Sequence, residues 1–170
     1  MSAVIWVLIG VLGEAVVTAL ASMWHIEYVY PQWFLIVMMF VAINRELFSA
    51  LAVAVALGVV MGRFALAPWG LYELALIVTT VIVFRFSSTL SGRGAVFFGV
   101  LCMVSSVGFQ IGTLSLLTLV RDHVGFASAA TAALLPTGVV TGLVGSIAYG
   151  RFRRIEKRLE PSKREGLKWV

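Results

Sequence analysis

The sequence predicts an all-α membrane protein with several helices that cross the bilayer. Of its 170 residues, 61% are hydrophobic and 12% are charged, and the mean hydropathy is +1.01. A soluble domain is usually about half apolar and about one quarter charged. Apolar runs of about twenty residues recur along the chain, as expected of transmembrane helices, which satisfy every backbone polar group internally.

Four apolar runs are predicted to span the membrane as helices, at residues 3–23, 71–86, 95–119 and 127–149. Between the first and second runs, residues 33–62 are interrupted by Asn44-Arg45-Glu46, which leaves pieces of about 11 and 16 residues. Each piece is short for a full crossing, so we expect two short or tilted helices joined by a polar turn. Pro31 suits the N-terminus of the first of these. The prediction is therefore about six transmembrane helices, with the second and third short.

The basic residues predict the orientation of the chain. Residues 1–150 are expected to form a single transmembrane domain and residues 151–170 a basic cytoplasmic tail, since eight of the 13 Lys and Arg residues lie between Arg151 and Lys168. With Arg45, Arg85 and Arg93 also on the cytoplasmic side, both termini are predicted to be cytoplasmic. The tail is expected to begin as a helix and to meet anionic lipid. Its candidate contacts are Arg151, Arg153, Arg154, Lys157 and Arg158.

The sequence offers few residues for catalysis or metal binding. His25 and His123 have no partner at ligand spacing, and the single cysteine, Cys102, lies in an apolar run. The serine-rich stretch at residues 86–94 lacks the order of a phosphate-binding loop. We therefore expect no enzymatic activity, cofactor or metal, and no nucleic-acid partner because the basicity belongs to the tail.

Polar residues inside the predicted spans are the stronger functional signal. Glu14 lies midway along the first span, where a carboxylate must face the bundle interior, be protonated or pair with a base. Gln110, with Ser105, Ser106 and Thr113 nearby, is expected to serve as hydrogen-bonding glue within the fifth span or to contact a substrate. Gly138 and Gly142 form a small-xxx-small pair that predicts close packing on another helix of this chain or on another protein.

A series of short motifs then carries a family resemblance. The order Tyr30-Pro31-Gln32-Trp33, Asn44-Arg45-Glu46, Gly58-Val59-Val60-Met61-Gly62-Arg63 and Leu66-Ala67-Pro68-Trp69-Gly70-Leu71-Tyr72 resembles the MreD family of rod shape-determining proteins. The resemblance implies a fold similar to the substrate-binding S-components of energy-coupling-factor vitamin transporters. It also implies a non-enzymatic scaffold of the bacterial elongasome, in the inner membrane, that binds an MreC-like partner during lateral peptidoglycan synthesis.

The same resemblance implies where a partner would bind. We expect a groove lined by the two short helices, and the candidate partner-binding residues are Pro31, Arg45, Gly58, Gly62, Arg63, Trp69, Gly70, Tyr72 and Glu73. Arg63 stands where family members often carry an acidic residue, and Glu73 places an acid at the start of the next helix. Arg45 or Arg63 is expected to pair with acids of the partner, and Arg63 and Glu73 are close enough along the chain to pair with each other.

The alternative is a vitamin-binding S-component, a different functional class. Such a subunit encloses its ligand with convergent polar groups. The predicted outer side offers a set of them: His25, Glu27, Arg63, Glu73, Arg121, Asp122 and His123.

Overall fold

The computed structural model describes residues 2–24, 29–65, 68, 70–89, 94–120 and 127–159, with side chains described for most of them. Across these ranges the chain forms six α-helices and no strand. The helices are α1 (Ser2–Met23), α2 (Trp33–Asn44), α3 (Leu47–Phe64), α4 (Leu71–Thr89), α5 (Ala95–Val120) and α6 (Ala127–Leu159). The predicted all-α fold with six helical segments is confirmed.

Four of the helices are long and apolar enough to cross a membrane. Among the described residues these are the segments Ala3–Met23, Leu47–Phe64, Ala95–Thr118 and Ala132–Arg158. The third helix has 18 residues and is one of these four, so the expectation that it is short for a full crossing is wrong. The second helix, α2, is short as predicted: its 12 residues span about 18 Å at 1.5 Å per residue. The protein is therefore a multi-pass membrane protein built around one helix that is too short to span a bilayer core of about 30 Å.

The short helix α2 forms the centre of the bundle. Every residue from Phe34 to Ala42 is buried, and α2 contacts each of the other five helices. A helix that is apolar all round is stable when neighbours cover all its faces. The expected groove lined by α2 and α3 is therefore wrong: α2 is enclosed by the rest of the bundle and presents no face to a partner.

The last helix continues through the boundary predicted at residue 150. It runs unbroken from Ala127 to Leu159, so the start of the basic segment is helical, as expected. Phe152 lies in the core, with its ring centroid 5.6 Å from that of Trp6 and 5.3 Å from that of Phe40. Aromatic pairs at these edge-to-face distances stabilise a core beyond their burial. The first turns of the basic segment are thus packed against the bundle.

Glycines bring two pairs of helices into close contact. A Cβ built on Gly142 of α6 would lie 2.8 Å from the carbonyl oxygen of Gly99 on α5, and one on Gly138 would lie 2.7 Å from Cγ2 of Val107. A Cβ on Gly58 of α3 would lie 2.7 Å from the Cα of Glu73 on α4. Small residues let helix backbones approach in this way. The small-xxx-small pair predicted at Gly138 and Gly142 therefore packs on a helix of this chain.

Candidate functional site

The N-terminus of α2 begins inside the bundle, where Glu14 of α1 supplies its cap. The Gln32 side chain, at the N-cap position, makes no capping hydrogen bond. Instead the backbone N–H of Phe34 donates to Oε2 of Glu14, at 3.1 Å. A carboxylate is favourable at this position because the first N–H groups of a helix have no intrahelical partner and the helix dipole is positive there. Glu14 thus faces the bundle interior, as the sequence requires.

Two further features fix the same junction between α1 and α2. The indole Nε1 of Trp33 donates to the backbone oxygen of Ile9, at 3.1 Å. Gly13 leaves the room for this ring, because a Cβ at that position would overlap the indole of Trp33. Burial and the carboxylate charge of Glu14 both raise the pKa of Tyr30, just before α2. The first turn of α2 is therefore held in place by the Glu14 carboxylate, by the bond from the Trp33 indole to the backbone of Ile9 and by the space that Gly13 leaves for this ring.

The polar network extends from Gln32 to the last two helices. The backbone N–H of Gln32 donates to Oγ1 of Thr141, at 3.1 Å, and its side-chain oxygen accepts from Ser106, at 2.9 Å. Nε2 of Gln110 donates to the Ser106 hydroxyl, at 3.3 Å. The two bonds of Gln32 join the start of α2 to α5 and α6, which is the role expected of polar residues between membrane helices, whereas the Gln110–Ser106 bond lies within α5. Gln110 therefore contributes to the packing of this bundle.

Several of the predicted partner-binding residues serve the packing between α3 and α4. Gly58 meets the backbone of Glu73, and a Cβ on Gly62 would lie 3.5 Å from the Cβ of Tyr72. The Tyr72 ring packs on Phe109 of α5, with centroids 5.7 Å apart. These four residues of α3 and α4 are thus in contact with the chain's own helices.

The remaining predicted residues are spread over both ends of the bundle. Nε of Arg45 lies 3.7 Å from Oε1 of Glu156 on α6, so Arg45 already has an acidic partner within the chain. Arg63 is exposed at the end of α3, and the Arg63–Glu73 pair stays a prediction. Pro31 immediately precedes the Gln32 cap, and Trp69 lies outside the described residues. Gly70 has a φ of 85°, a conformation that glycine adopts without strain, in the turn that leads into α4.

The predicted basic contacts lie on the surface of the last turns of α6, residues 151–159, which we call the α6 extension. The five side chains Arg151, Arg153, Arg154, Lys157 and Arg158 are exposed. Because Phe152 holds this turn against the core, the basic side chains project from a fixed part of the bundle. The salt bridge between Arg45 and Glu156 places the turn between α2 and α3 at the same end of the bundle as these residues, and the side of the membrane that this end faces stays a prediction.

The surface that sequence reasoning missed is an open groove between α4 and α5, with a volume of about 430 Å³. Its walls are largely apolar and carry hydroxyl groups from Thr79, Ser105 and Ser115, but none of its lining residues is ionisable. The other lining residues are Leu74, Ala75, Val78 and Ile82 of α4, and Val104, Gly108, Phe109, Gly112 and Leu116 of α5.

Two glycines on the floor of this groove make no close contact. A Cβ built on Gly108 or Gly112 would meet nothing within 4 Å. At 3.6 residues per turn, Ser105, Gly108, Gly112 and Ser115 share one side of α5, roughly opposite the side on which Gly99 meets α6. The spacing Gly108-xxx-Gly112 was the sequence signal for this surface. A groove with these properties is suited to an apolar ligand or helix that fits its shape and packs closely on the small residues of α5. Its lining residues offer no group for acid–base chemistry.

Comparison of the chain with protein-family models, with curated proteins and with solved structures finds no match.

Proposed function

We propose that the protein is a non-enzymatic membrane scaffold that holds a transmembrane helix of a partner protein in the groove between α4 and α5. The observation that carries this proposal is the open pair Gly108 and Gly112, whose Cβ positions meet nothing within 4 Å. Small residues on a membrane helix serve the close approach of another backbone. The α5–α6 contact shows the same helix using Gly99 in that way.

The class of partner comes from the sequence resemblance. The motifs around Pro31, Asn44-Arg45-Glu46 and Gly70-Leu71-Tyr72 resemble those of MreD-like proteins, which are membrane partners of MreC in the complex that builds the lateral cell wall. On this proposal the chain is an elongasome subunit of the inner membrane, and its partner is an MreC-like protein with a transmembrane helix. The groove replaces the surface around α2 and α3 as the place of contact.

The basic side chains on the α6 extension supply a second, weaker contact. Each Lys or Arg near an anionic membrane surface contributes about 1 kcal/mol. The exposed residues from Arg151 to Arg158 are held by Phe152, so they meet lipid headgroups or a cytoplasmic partner in a fixed orientation relative to the groove.

The test is affinity purification of the tagged protein from native membranes in mild detergent, with mass spectrometry of proteins and small molecules. We expect an MreC-like protein to co-purify with the wild type and to be lost from Gly108→Leu and Gly112→Leu, because a leucine fills the groove floor. Gly150→Leu is the matched control, since Gly150 also has an open Cβ position but lies on α6, outside the groove. Equal recovery of the partner with all three variants would refute the proposal.

The second candidate function is that of a ligand-binding S-component, and the polar network at the start of α2 favours it. Glu14, Gln32, Ser106, Gln110 and Thr141 converge there from four parts of the chain. Gln32, Ser106, Gln110 and Thr141 bond to one another, however, and Glu14 accepts from the backbone N–H of Phe34. A stoichiometric small molecule in the same purification, dependent on Gln110 and insensitive to Gly112→Leu, would support this alternative over the scaffold.

A further inference from the structure

One charged residue lies on the face of α4 that lines the groove. Leu74, Val78 and Ile82 mark this face, and Arg85 follows Ile82 by three residues, so it lies on the same side of the helix. The Arg85 side chain is exposed. The groove therefore has an apolar body and a cationic residue beyond one end.

The register between α2 and α4 shows which end this is. The hydroxyl of Thr80 donates to Sδ of Met38, at 2.7 Å, so the middles of the two helices lie side by side. Phe34 of α2 and Tyr72 of α4, each near the start of its helix, both pack on Phe109 of α5, with ring centroids 5.6 and 5.7 Å apart, so α2 and α4 run in the same direction. The chain after Thr80 therefore leads to Arg85 at the end of the bundle where Arg45 meets Glu156. Arg85 therefore lies at the end of the groove nearest the basic extension of α6.

The floor of the groove favours a helix as its occupant. Four small residues, Ser105, Gly108, Gly112 and Ser115, line one side of α5 over about 15 Å at 1.5 Å per residue. A helix gains from such a floor because its backbone approaches closely, whereas an acyl chain packs equally well on larger side chains. The volume of about 430 Å³ suits the ridge of side chains that a packed helix inserts between two others.

We infer that the helix held in the groove carries an acidic side chain at the end that meets Arg85. This inference rests on the proposed function and specifies its partner: a single transmembrane helix with an uncharged, closely packing face and a carboxylate near the end that lies beside the α6 extension. Charge complementarity across an interface sets the direction and register of binding more than its total affinity. Arg85 thus selects which way round, and how deep, the partner helix sits.

The experiment uses the full-length protein in vesicles of uncharged phosphatidylcholine, with synthetic leucine–alanine helices of about 20 residues as probes. The three probes are identical except at one position near one end, which is Glu, Gln or Lys. Binding is measured by energy transfer from a labelled probe to an acceptor on the protein. We expect the Glu probe to bind about fivefold more tightly than the Gln probe, with the Lys probe weakest.

The variant Arg85→Glu should reverse that order, so that the Lys probe binds most tightly. Arg85→Gln should make the three probes equal, which separates loss of charge from a change of fold. Gly112→Leu should abolish binding of all three probes.

The outcomes distinguish this inference from the proposed function. Equal binding of the Glu and Gln probes to the wild type, together with loss of both in Gly112→Leu, would overturn the role of Arg85 and leave the groove as the docking surface. Probe binding that Gly112→Leu does not change would overturn both. In parallel vesicles that also contain anionic phosphatidylglycerol, lipid retention that depends on Arg85, with no probe bound in the groove, would also overturn the inference and identify the surface as a lipid site.

Discussion

Glycines lie on two opposite sides of α5, and their surroundings differ: on one side they pack against α6, and on the other they line an open groove. On one side Gly99 meets Gly142 of α6, where an added Cβ would lie within 3 Å of a backbone oxygen. On the other side Gly108 and Gly112 lie on the floor of an open groove and would accept a Cβ without contact. One glycine surface is occupied by the chain itself, and the other is available to a second molecule.

The difference matters because glycine is a costly choice inside a helix. It is less favourable than alanine by about 0.5–1 kcal/mol, so a helix retains it for a reason outside its own stability. At Gly99 and Gly142 the reason is visible in the contact between α5 and α6. At Gly108 and Gly112 the folded chain shows no such contact, and the proposed partner helix supplies one.

The largest loss of stability is expected from a bulky side chain at the α5–α6 contact, where the glycines are already packed. Gly142→Leu forces a side chain into the backbone of Gly99 and should destabilise the folded bundle by about 3 kcal/mol or more. The measurement is thermal unfolding in mild detergent, followed by intrinsic fluorescence, with Gly112→Leu as the matched variant on the open side. An unchanged unfolding temperature for Gly142→Leu would contradict the description of this side as closed.

A comparable but smaller loss is expected at the α3–α4 contact. Gly58→Leu places a side chain against the backbone of Glu73 and should cost about 2 kcal/mol. The sequence-based hypothesis gave Gly58 to a partner, and it expects this variant to lose the partner while folding normally. A normal unfolding temperature combined with loss of the partner would therefore favour that earlier assignment.

The cap of α2 provides an intermediate effect away from the glycines. Glu14→Ala leaves the buried N–H of Phe34 without its acceptor and should cost about 1–3 kcal/mol. Glu14→Gln should cost less, because its amide oxygen still accepts a hydrogen bond. Denaturant titration in detergent compares the two variants. Equal losses would mean that the negative charge, and not the hydrogen bond, stabilises the start of α2.

The smallest expected change in stability comes from glycine-to-alanine substitutions, and its sign should differ between the groove side of α5 and the α5–α6 contact. Gly112→Ala should stabilise the protein by about 0.5–1 kcal/mol, since alanine favours the helix and the added methyl group meets nothing. Gly142→Ala should destabilise it, because the same methyl group meets the Gly99 carbonyl. Unfolding temperatures of the two variants, measured side by side, decide the point. A loss of stability in Gly112→Ala would show that the open side is packed in solution.

The sequence predicted the helices well because length and apolarity are what a bilayer demands. The interruption at Asn44-Arg45-Glu46 marked the turn between two helices, and Glu14 was expected to face the interior because a carboxylate in a bilayer needs a partner. The partner of Glu14 was not predictable, because it is the backbone N–H of Phe34 and almost every residue type carries the same group.

The sequence did not predict which helix is central. In a membrane the outward faces of a bundle are as apolar as the inward ones, so a run such as Phe34 to Ala42 looks alike in contact with lipid or with protein. For the same reason the glycines at 58, 99, 108, 112 and 142 are equivalent as a pattern. Only the packing separates those that meet another helix of this chain from the two that line the groove.

Site-specific photo-crosslinking in native membranes tests the central claim most directly. A photoreactive residue replaces Val78, which lines the groove and is 47% exposed, or Leu143, which lies on α6 outside the groove and is 62% exposed. If a partner helix occupies the groove, position 78 forms an adduct with one defined membrane protein and position 143 does not. Lipid adducts alone at both positions would contradict the account.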